Sequence, residues 1–470
     1  MIFLLAQSFV TAQSVIWRQI IGEEYNEVGR DVIELSDHGY LMVGEKQVLQ
    51  NGTMNVIYQS YLVKLDRFGT IVWQKIIGDT VYGNYAYAVT EDPSGNIYLP
   101  CNSSNPHLVK MNSSGTILWD KNYSINSIKL FGGISFVDNY KNIVILGLNE
   151  ISDYLTSSLS KLDSSGNLIW TKAYYDSIPS ISAYSSYSNC YLVTDNYYFL
   201  CGNKGVNGFV IKTDTSGNKI WTKRFTQSQY VMSIVGNSEN TFIATGLGRN
   251  YGTYCFKFDV NGDTIWSKNY GGDTAYYFGY KKIVKTINSN FAIGTVAGRN
   301  ATRIAIIDSS GNIISVYRNY FPLNVLISHE NLNYTSDSGL VLTGHYGIFP
   351  NGNNFQSART DAIIFKVDKY GNMVSVKNIN EFETENFEIN TFPNPFNLSV
   401  NLRFNLTKSA KVIIELFDLS GKKINEIENT LLNSGKHIYL INTPELCSGV
   451  YFIKIKINNS VYSKKILLIK

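Results

Sequence analysis

"DSSGNLIW" at 163–170 is followed by "DTSGNKIW" at 214–221 and "DVNGDTIW" at 259–266. Each copy has an acid, two intervening residues, a glycine and then a tryptophan four positions on. The turn recurs at Asp66–Gly69, Asn112–Gly115, Asp163–Gly166, Asp214–Gly217, Asp259–Gly262, Asp308–Gly311 and Asp368–Gly371, with glycine spacings of 46, 51, 51, 45, 49 and 60 residues. Asp or Asn at the first position suits a type I turn, because its side chain accepts from backbone N–H groups further along. Glycine supplies the left-handed residue that closes the hairpin.

All six tryptophans obey the pattern: Trp73, Trp119, Trp170, Trp221 and Trp266 follow a turn, and Trp17 stands alone near the start. The last two repeats place Ser315 and Ser375 in that slot. Lys precedes the acid by two residues in six of seven copies (Lys64, Lys110, Lys161, Lys212, Lys257, Lys366), and an aliphatic residue precedes each Trp. Apolar residues on both faces predict strands packed between neighbouring sheets. The tryptophans read as structural spacers whose indole N–H can reach an adjacent blade. A second element, from "GYLMVGE" (39–45) to "GLVLTGH" (339–345), also occurs seven times.

The expected fold is therefore all-β: a seven-bladed β-propeller over 14–378, then a small C-terminal β-sandwich. Eight blades is the competitor, because "NMVSVKNI" (372–379) reads as an extra outer strand. "VIWRQIIG" (15–22) is expected to supply the outer strand of the first unit, with chain ends sharing a blade to close the ring. The Trp-marked repeats resemble quinoprotein-like propellers across roughly 14–379. Enzymes of that family bind pyrroloquinoline quinone beside calcium, commonly with a disulfide between adjacent cysteines. No two cysteines are adjacent here, and no cofactor is expected.

Composition agrees with strands and tight turns: 33 Tyr, 24 Phe and 37 Gly, with only 17% charged residues. A net charge of +4 over 470 residues, with no basic block beyond two consecutive residues, gives no nucleic-acid footprint. "MIFLLAQSFVTAQ" (1–13) reads as a signal peptide cut after Ala12, although a basic n-region is missing; a first β-strand is the competing reading. Elsewhere no apolar stretch reaches the ~18 residues of a membrane-spanning helix. Of the five cysteines, Cys190 and Cys201 flank a candidate hairpin, either bonded across it or reduced within a buried sheet.

After an acidic linker at 379–391, the residues 392–470 form a compact run of alternating strands. The Pro393-Asn394-Pro395 opening, the Asp418-x-x-Gly421-Lys422 turn, Ser448-Gly449-Val450-Tyr451-Phe452 and the Lys464-Lys465 to Lys470 ending carry the pattern. Together they resemble the type A C-terminal sorting domain of the type IX secretion system. That resemblance implies periplasmic transit, engagement of the type IX secretion machinery, removal of the domain by a sortase-like protease, and outer-membrane attachment.

No sequence motif for a nucleophile, phosphate loop or zinc site is present, and the five histidines, His38, His107, His329, His345 and His437, read as isolated, in different repeats or domains. One carboxylate per turn falls short of calcium's ~6–8 oxygens. Catalytic and metal residues are accordingly not assigned. The expected function is a secreted or surface binding module for a glycan or protein, with Tyr-rich stretches 81–89, 183–191 and 274–280 as sugar-stacking candidates. A polysaccharide hydrolase or lyase with carboxylates at the propeller mouth, or a purely structural module, are the alternatives.

Overall fold

The turns are folded by the side chain of their own first residue. Asp163 Oδ1 accepts from the backbone N–H groups of Ser165 and Asn167 at 2.9 and 2.8 Å, and Gly166 N–H donates to Asp163 O at 2.9 Å. Asp66, Asn112, Asp214, Asp259 and Asp308 repeat this arrangement. The glycines of all seven turns have φ between +76° and +86°, a region other residues enter only at a cost. Backbone N–H donation holds the Asp163 and Asp259 carboxyls below their ordinary range.

The chain, seen in a computed structural model, is described for residues 16–371 and 389–470 apart from connecting segments, the longest being 175–190, 271–281 and 349–358. It divides into two units, Met1–Met373 and Val374–Lys470. In the first unit the described residues form seven antiparallel sheets. Blade 1 comprises Glu27–Glu34, Tyr40–Leu49, Val56–Leu65 and Ile71–Ile77. Blade 2 has a broken first strand (Tyr85–Ala86, Thr90–Glu91) followed by Ile97–Asn102, His107–Met111 and Ile117–Asn122. Blade 3 ends in Leu168–Tyr174, blade 4 in Lys219–Phe225, blade 5 in Thr264–Asn269 and blade 6 in Ile313–Tyr320. Blade 7 consists of Val325–Tyr334, Leu340–Ile348 and Thr360–Val367, and its fourth strand is Trp17–Ile21.

That last pairing corrects the sequence reading. The N-terminal strand lies antiparallel to Thr360–Val367, with Trp17 opposite Lys366, so it completes the last blade and not the first. Closing the ring this way covers the edge that Thr360–Val367 would otherwise expose. The stretch 372–379, the candidate extra strand, lies outside the described residues.

Why the glycine and the tryptophan travel together is a matter of neighbouring blades. A Cβ placed on Gly217 would sit 2.7 Å from the Trp170 ring, and one on Gly311 2.8 Å from Trp266. Trp17, Trp73, Trp119 and Trp221 approach Gly69, Gly115, Gly166 and Gly262 in the same way. Each Trp thus rests on the turn of the following blade. Indole N–H groups donate to that turn's carbonyls: Trp17 to Arg67, Trp221 to Val260 and Trp266 to Ser309, at 3.3, 3.1 and 3.2 Å. The repeated lysines add Lys64 to Ser113 O, Lys110 to Ser164 O and Lys212 to Val260 O, at 3.1, 3.3 and 3.0 Å. Blade 6 has Ser315 in the Trp slot, and there Gly371 meets Ile304 instead.

The aliphatic residues before the tryptophans do not behave as expected. Val72, Leu118, Ile169, Ile220 and Ile265 are 49–57% exposed. Blades splay apart toward the circumference, so only one face of the fourth strand, the one carrying Trp, meets a neighbour. Buried side chains lie instead between the facing sheets of successive blades. Phe199, Phe225, Phe242, Phe256 and Phe258 form one such layer between blades 4 and 5.

Cys201 is disulfide-bonded, while Cys101, Cys255 and Cys447 are free; Cys190 lies outside the described residues. Burial pushes the Cys101 thiol up to about 12 and raises that of Cys255 as well. Alkylation of the native protein is therefore expected to label Cys447 alone of these four, with Cys101 and Cys255 joining it only after unfolding. Peptide mapping checks this, and native labelling of Cys255 contradicts it.

The second unit packs a three-stranded sheet (Asn390–Phe392, Ser399–Leu406, Gly435–Asn442) on a four-stranded one (Ala410–Phe417, Lys423–Leu432, Gly449–Ile457, Ser460–Leu468). Strict alternation in "SVNLRFNL" turns Val400, Leu402, Phe404 and Leu406 inward against Val412, Ile414, Ile453, Ile455 and Ile466. This is the expected sandwich.

Candidate functional site

The first strands of blades 1, 5, 6 and 7 contact one another from sheet to sheet, which places them at the ring's axis. Two of these strands, "EVGRDVIE" (27–34) and "VLISHENLNY" (325–334), carry charged residues that a buried strand seldom holds. Two bulges explain how they are accommodated. The pairing register slips between Gly29 and Asp31 and again between His329 and Asn331. An extra residue at a bulge is re-aimed out of the ladder; here those residues are Arg30 and Glu330. Gly44, opposite the first bulge, would clash with Val28 O at 1.9 Å if it carried a Cβ.

Arg30 and Glu330 meet. Arg30 Nε lies 3.0 Å from Glu45 Oε1 and its Nη1 lies 3.5 Å from Glu330 Oε2. On the far side, His345 Nδ1 is 3.4 Å from Glu330 Oε1, which also accepts from Ser328 Oγ at 2.9 Å. Burial alone would push the Glu330 carboxyl up, but His345 and the Arg30 charge pull it down to about 2. Below this group, Asp31 accepts from Val32 N–H and Val89 N–H at 2.9 and 3.1 Å. Lys282 donates to Asn331 and Asn333 at 2.7 and 3.0 Å, and Asn333 reaches across to Val32 O. Burial raises the Asp31 carboxyl and lowers the Lys282 ammonium. Blades 6, 7, 1 and 2 are stitched together by these bonds.

The cluster continues outward as a row of aromatic rings. Arg30 stands 5.7 Å over the Tyr87 ring; Tyr85 lies 6.1 Å from Tyr87 at an interplanar angle of 4°; Tyr58 lies 6.2 Å from Tyr85. Strand direction puts this row at the face that carries the connections between blades, opposite the face of the Asp-opened turns. Tyr58, Tyr85 and Tyr87 are half-buried, and Tyr82 beside them is 61% exposed. Planar polar groups frame the rings: Gln47 donates to Tyr58 Oη at 2.9 Å and Gln59 to Tyr82 O at 2.7 Å.

Next to Tyr85, Ser60 Oγ donates to Asn84 Oδ1 at 3.1 Å, the Asn84 amide nitrogen lies 3.1 Å from His107 Nε2, and His107 Nδ1 lies 2.6 Å from Asp120. This assigns the ring proton to Nδ1 and leaves Nε2 already accepting from Asn84. A serine nucleophile would need that nitrogen for its own proton. Here an amide stands between them.

Sequence reading placed Tyr82, Tyr85 and Tyr87 in a sugar-stacking stretch; of these, Tyr87 meets Arg30 of the charged cluster and Tyr85 stacks on Tyr87. The stretch 274–280 and all but Tyr191 of 183–191 lie outside the described residues. Arg30, Glu45 and Glu330 were not foreseen, and the histidines taken as isolated are not: His345 and His107 each meet a carboxylate. Charged residues inside first-strand sequences were the available signal. Among the described residues no group of three or more His, Cys, Asp or Glu is arranged to hold a metal ion.

The sorting residues converge as well. Asn394, between two cis Phe392–Pro393 and Asn394–Pro395 bonds, donates from Nδ2 to Lys465 O at 3.1 Å and accepts from Leu467 N–H at 2.8 Å. Gly449 pairs with Leu468 and Ile453 with Lys464, and Lys470 N–H donates to Ser448 Oγ at 2.9 Å. Lys464 and Lys465 are exposed on that strand, and Gly421 lies outside the described residues. The opening, the Ser-Gly segment and the C-terminal strand therefore form one surface-lying edge of the sandwich.

Residues 390–470 match the secretion system C-terminal sorting domain. The chain is a secreted or cell-surface protein, and the domain implies interaction with its secretion machinery. No helix among the described residues is long and apolar enough to cross a membrane. No curated protein matches the chain. Among solved structures it is similar to the Pan2 WD40 domain of Neurospora crassa, at 10% identity and a TM-score of 0.44, covering 73% of this chain and 97% of that one. It is also similar to PorZ, a surface component of the type-IX secretion system of Porphyromonas gingivalis, at 11% identity and a TM-score of 0.39. That match covers 92% of this chain but 58% of PorZ. A protein of unknown function from Bacteroides caccae matches at 10% identity and a TM-score of 0.39, covering 59% of this chain and 94% of its own.

Proposed function

We propose that the propeller is a surface binding module, capturing a glycan or protein at the face that carries the blade-to-blade connections. The observation that supports it is the row Tyr58–Tyr85–Tyr87, ending on Arg30 held between Glu45 and Glu330. Half-buried phenol rings offer apolar area at low conformational cost with a polar edge for hydrogen bonds. Export through the type IX machinery, with a sortase-like protease releasing the sorting domain in or near the linker 379–391, would leave this face on the outer-membrane surface. The Trp-on-turn packing keeps the blades in the quinoprotein-like manner, with no quinone chemistry carried over.

Glu45 and Glu330 are the pair a hydrolase reading would use. Glycoside hydrolysis needs a carboxylic acid that keeps its proton near neutral pH. Glu330, drawn down to about 2, is ionised there. Asp31, whose carboxyl is raised, is buried and committed to the backbone of Val32 and Val89. Binding without turnover is the better fit. A screen of polysaccharides against the full chain, with product analysis of every hit, tests this: saturable binding with unchanged ligand is expected, and released products would replace the reading with an enzyme.

A further inference from the structure

We infer that the ligand is an uncharged saccharide chain laid along the Tyr58–Tyr85–Tyr87 row, an inference that rests on the binding function proposed above. Three features of the site select this chemistry. The rings stand 6.2 and 6.1 Å apart, with Tyr85 and Tyr87 within 4° of parallel and Tyr58 tilted by 35° from Tyr85, so a chain that turns between its sugar units can bring successive C–H faces onto the row. Polar groups beside the rings suit hydroxyls: Tyr58 Oη accepts from Gln47 and carries a proton of its own to donate, and the Asp120 carboxylate, 42% exposed beside His107, accepts.

Charge is the third feature. Arg30, the cation at the end of the row, is matched by Glu45 at 3.0 Å and Glu330 at 3.5 Å. An acidic sugar entering here would gain little from a guanidinium already paired, and it would face Glu45, Glu330 and Asp120. A cationic ligand would have to compete with Arg30 for the same carboxylates. Hydroxyls avoid both costs, since they hydrogen-bond without bringing a net charge out of water. A proline-rich peptide could also stack on such rings, but the exposed Asp120 carboxylate takes hydrogen-bond donors, which hydroxyls supply and a backbone lacking N–H groups at proline does not.

Calorimetric titration of the full chain decides the matter, using neutral oligosaccharides of several linkages, an oligogalacturonate and a proline-rich peptide, at low salt and near ~1 M salt, where exposed charges are screened within about 3 Å. A neutral oligosaccharide is expected to bind with affinity changed by less than about twofold between the two salts. Tyr87→Ala should weaken it about tenfold, the value of one aromatic stacking contact, while Tyr87→Phe retains it. Tyr82→Ala, at an exposed position, should weaken it less. Preference for the oligogalacturonate, lost in salt, or for the peptide, overturns the inference and leaves the binding function standing. Neutral binding that Tyr87→Ala does not touch overturns the placement. No binding by any of the three probe classes overturns the binding function with it.

Discussion

Gly217→Ala is expected to destabilise the propeller by about 3 kcal/mol, from a left-handed backbone that alanine resists and from overpacking against the neighbouring blade. The new Cβ would stand 2.7 Å from Trp170 Cη2 and Cζ3 and 2.9 Å from Lys172 Cγ, at a φ of +77°. Trp170→Ala removes the opposing ring and should cost about 3–5 kcal/mol. The informative quantity is their coupling. If Trp170 rests on this turn, the double variant must lose less than the sum, by about 1 kcal/mol or more, because alanine at 217 no longer meets an indole. Urea midpoints of the four proteins measure it. Strict additivity would mean that Gly217 is required only for its backbone angle.

The second large effect sits at the axis. Arg30→Ala leaves Glu45 and Glu330 with their shared cation gone, and removing one member of a buried ion cluster costs about 3–5 kcal/mol. Glu330→Gln should cost about 3 kcal/mol near neutral pH, in line with a carboxyl lowered from 4.5 to about 2. A group whose folded pKa is depressed contributes its stability above the unfolded value and loses it as pH falls toward the folded value. The gap between wild type and Glu330→Gln is therefore expected to be full above about 4.5 and to close as the pH approaches about 2. Denaturation midpoints across that window check it. A gap independent of pH would show that packing, not the carboxylate, carries the effect.

Much of the architecture could be read because it repeats. Asp163, Gly166 and Trp170 recur at blade spacing, and a local turn is encoded within a few residues. The sorting domain was legible for a related reason: its Pro393-Asn394-Pro395 opening and Ser448–Phe452 segment are short strings that do not depend on distant partners. What the sequence hid is long-range. Alternation says that Trp170 and Ile169 face opposite ways, but not that blades diverge and leave Ile169 52% exposed. Nothing local to Trp17 says that its strand pairs with Lys366 across the whole ring. The axis cluster was hidden twice over, since its members are scattered from Arg30 to His345 and a bulge breaks the two-residue period that would have marked Arg30 and Glu330.

Oxidative footprinting of the full chain, with and without a saturating polysaccharide identified in the binding screen, tests the placement of function most directly. Tyr82, Tyr85 and Tyr87 should be protected, while the exposed Val72, Leu118 and Ile169 near the opposite face keep their reactivity. Protection of that aliphatic rim, with the tyrosines unchanged, would contradict the account.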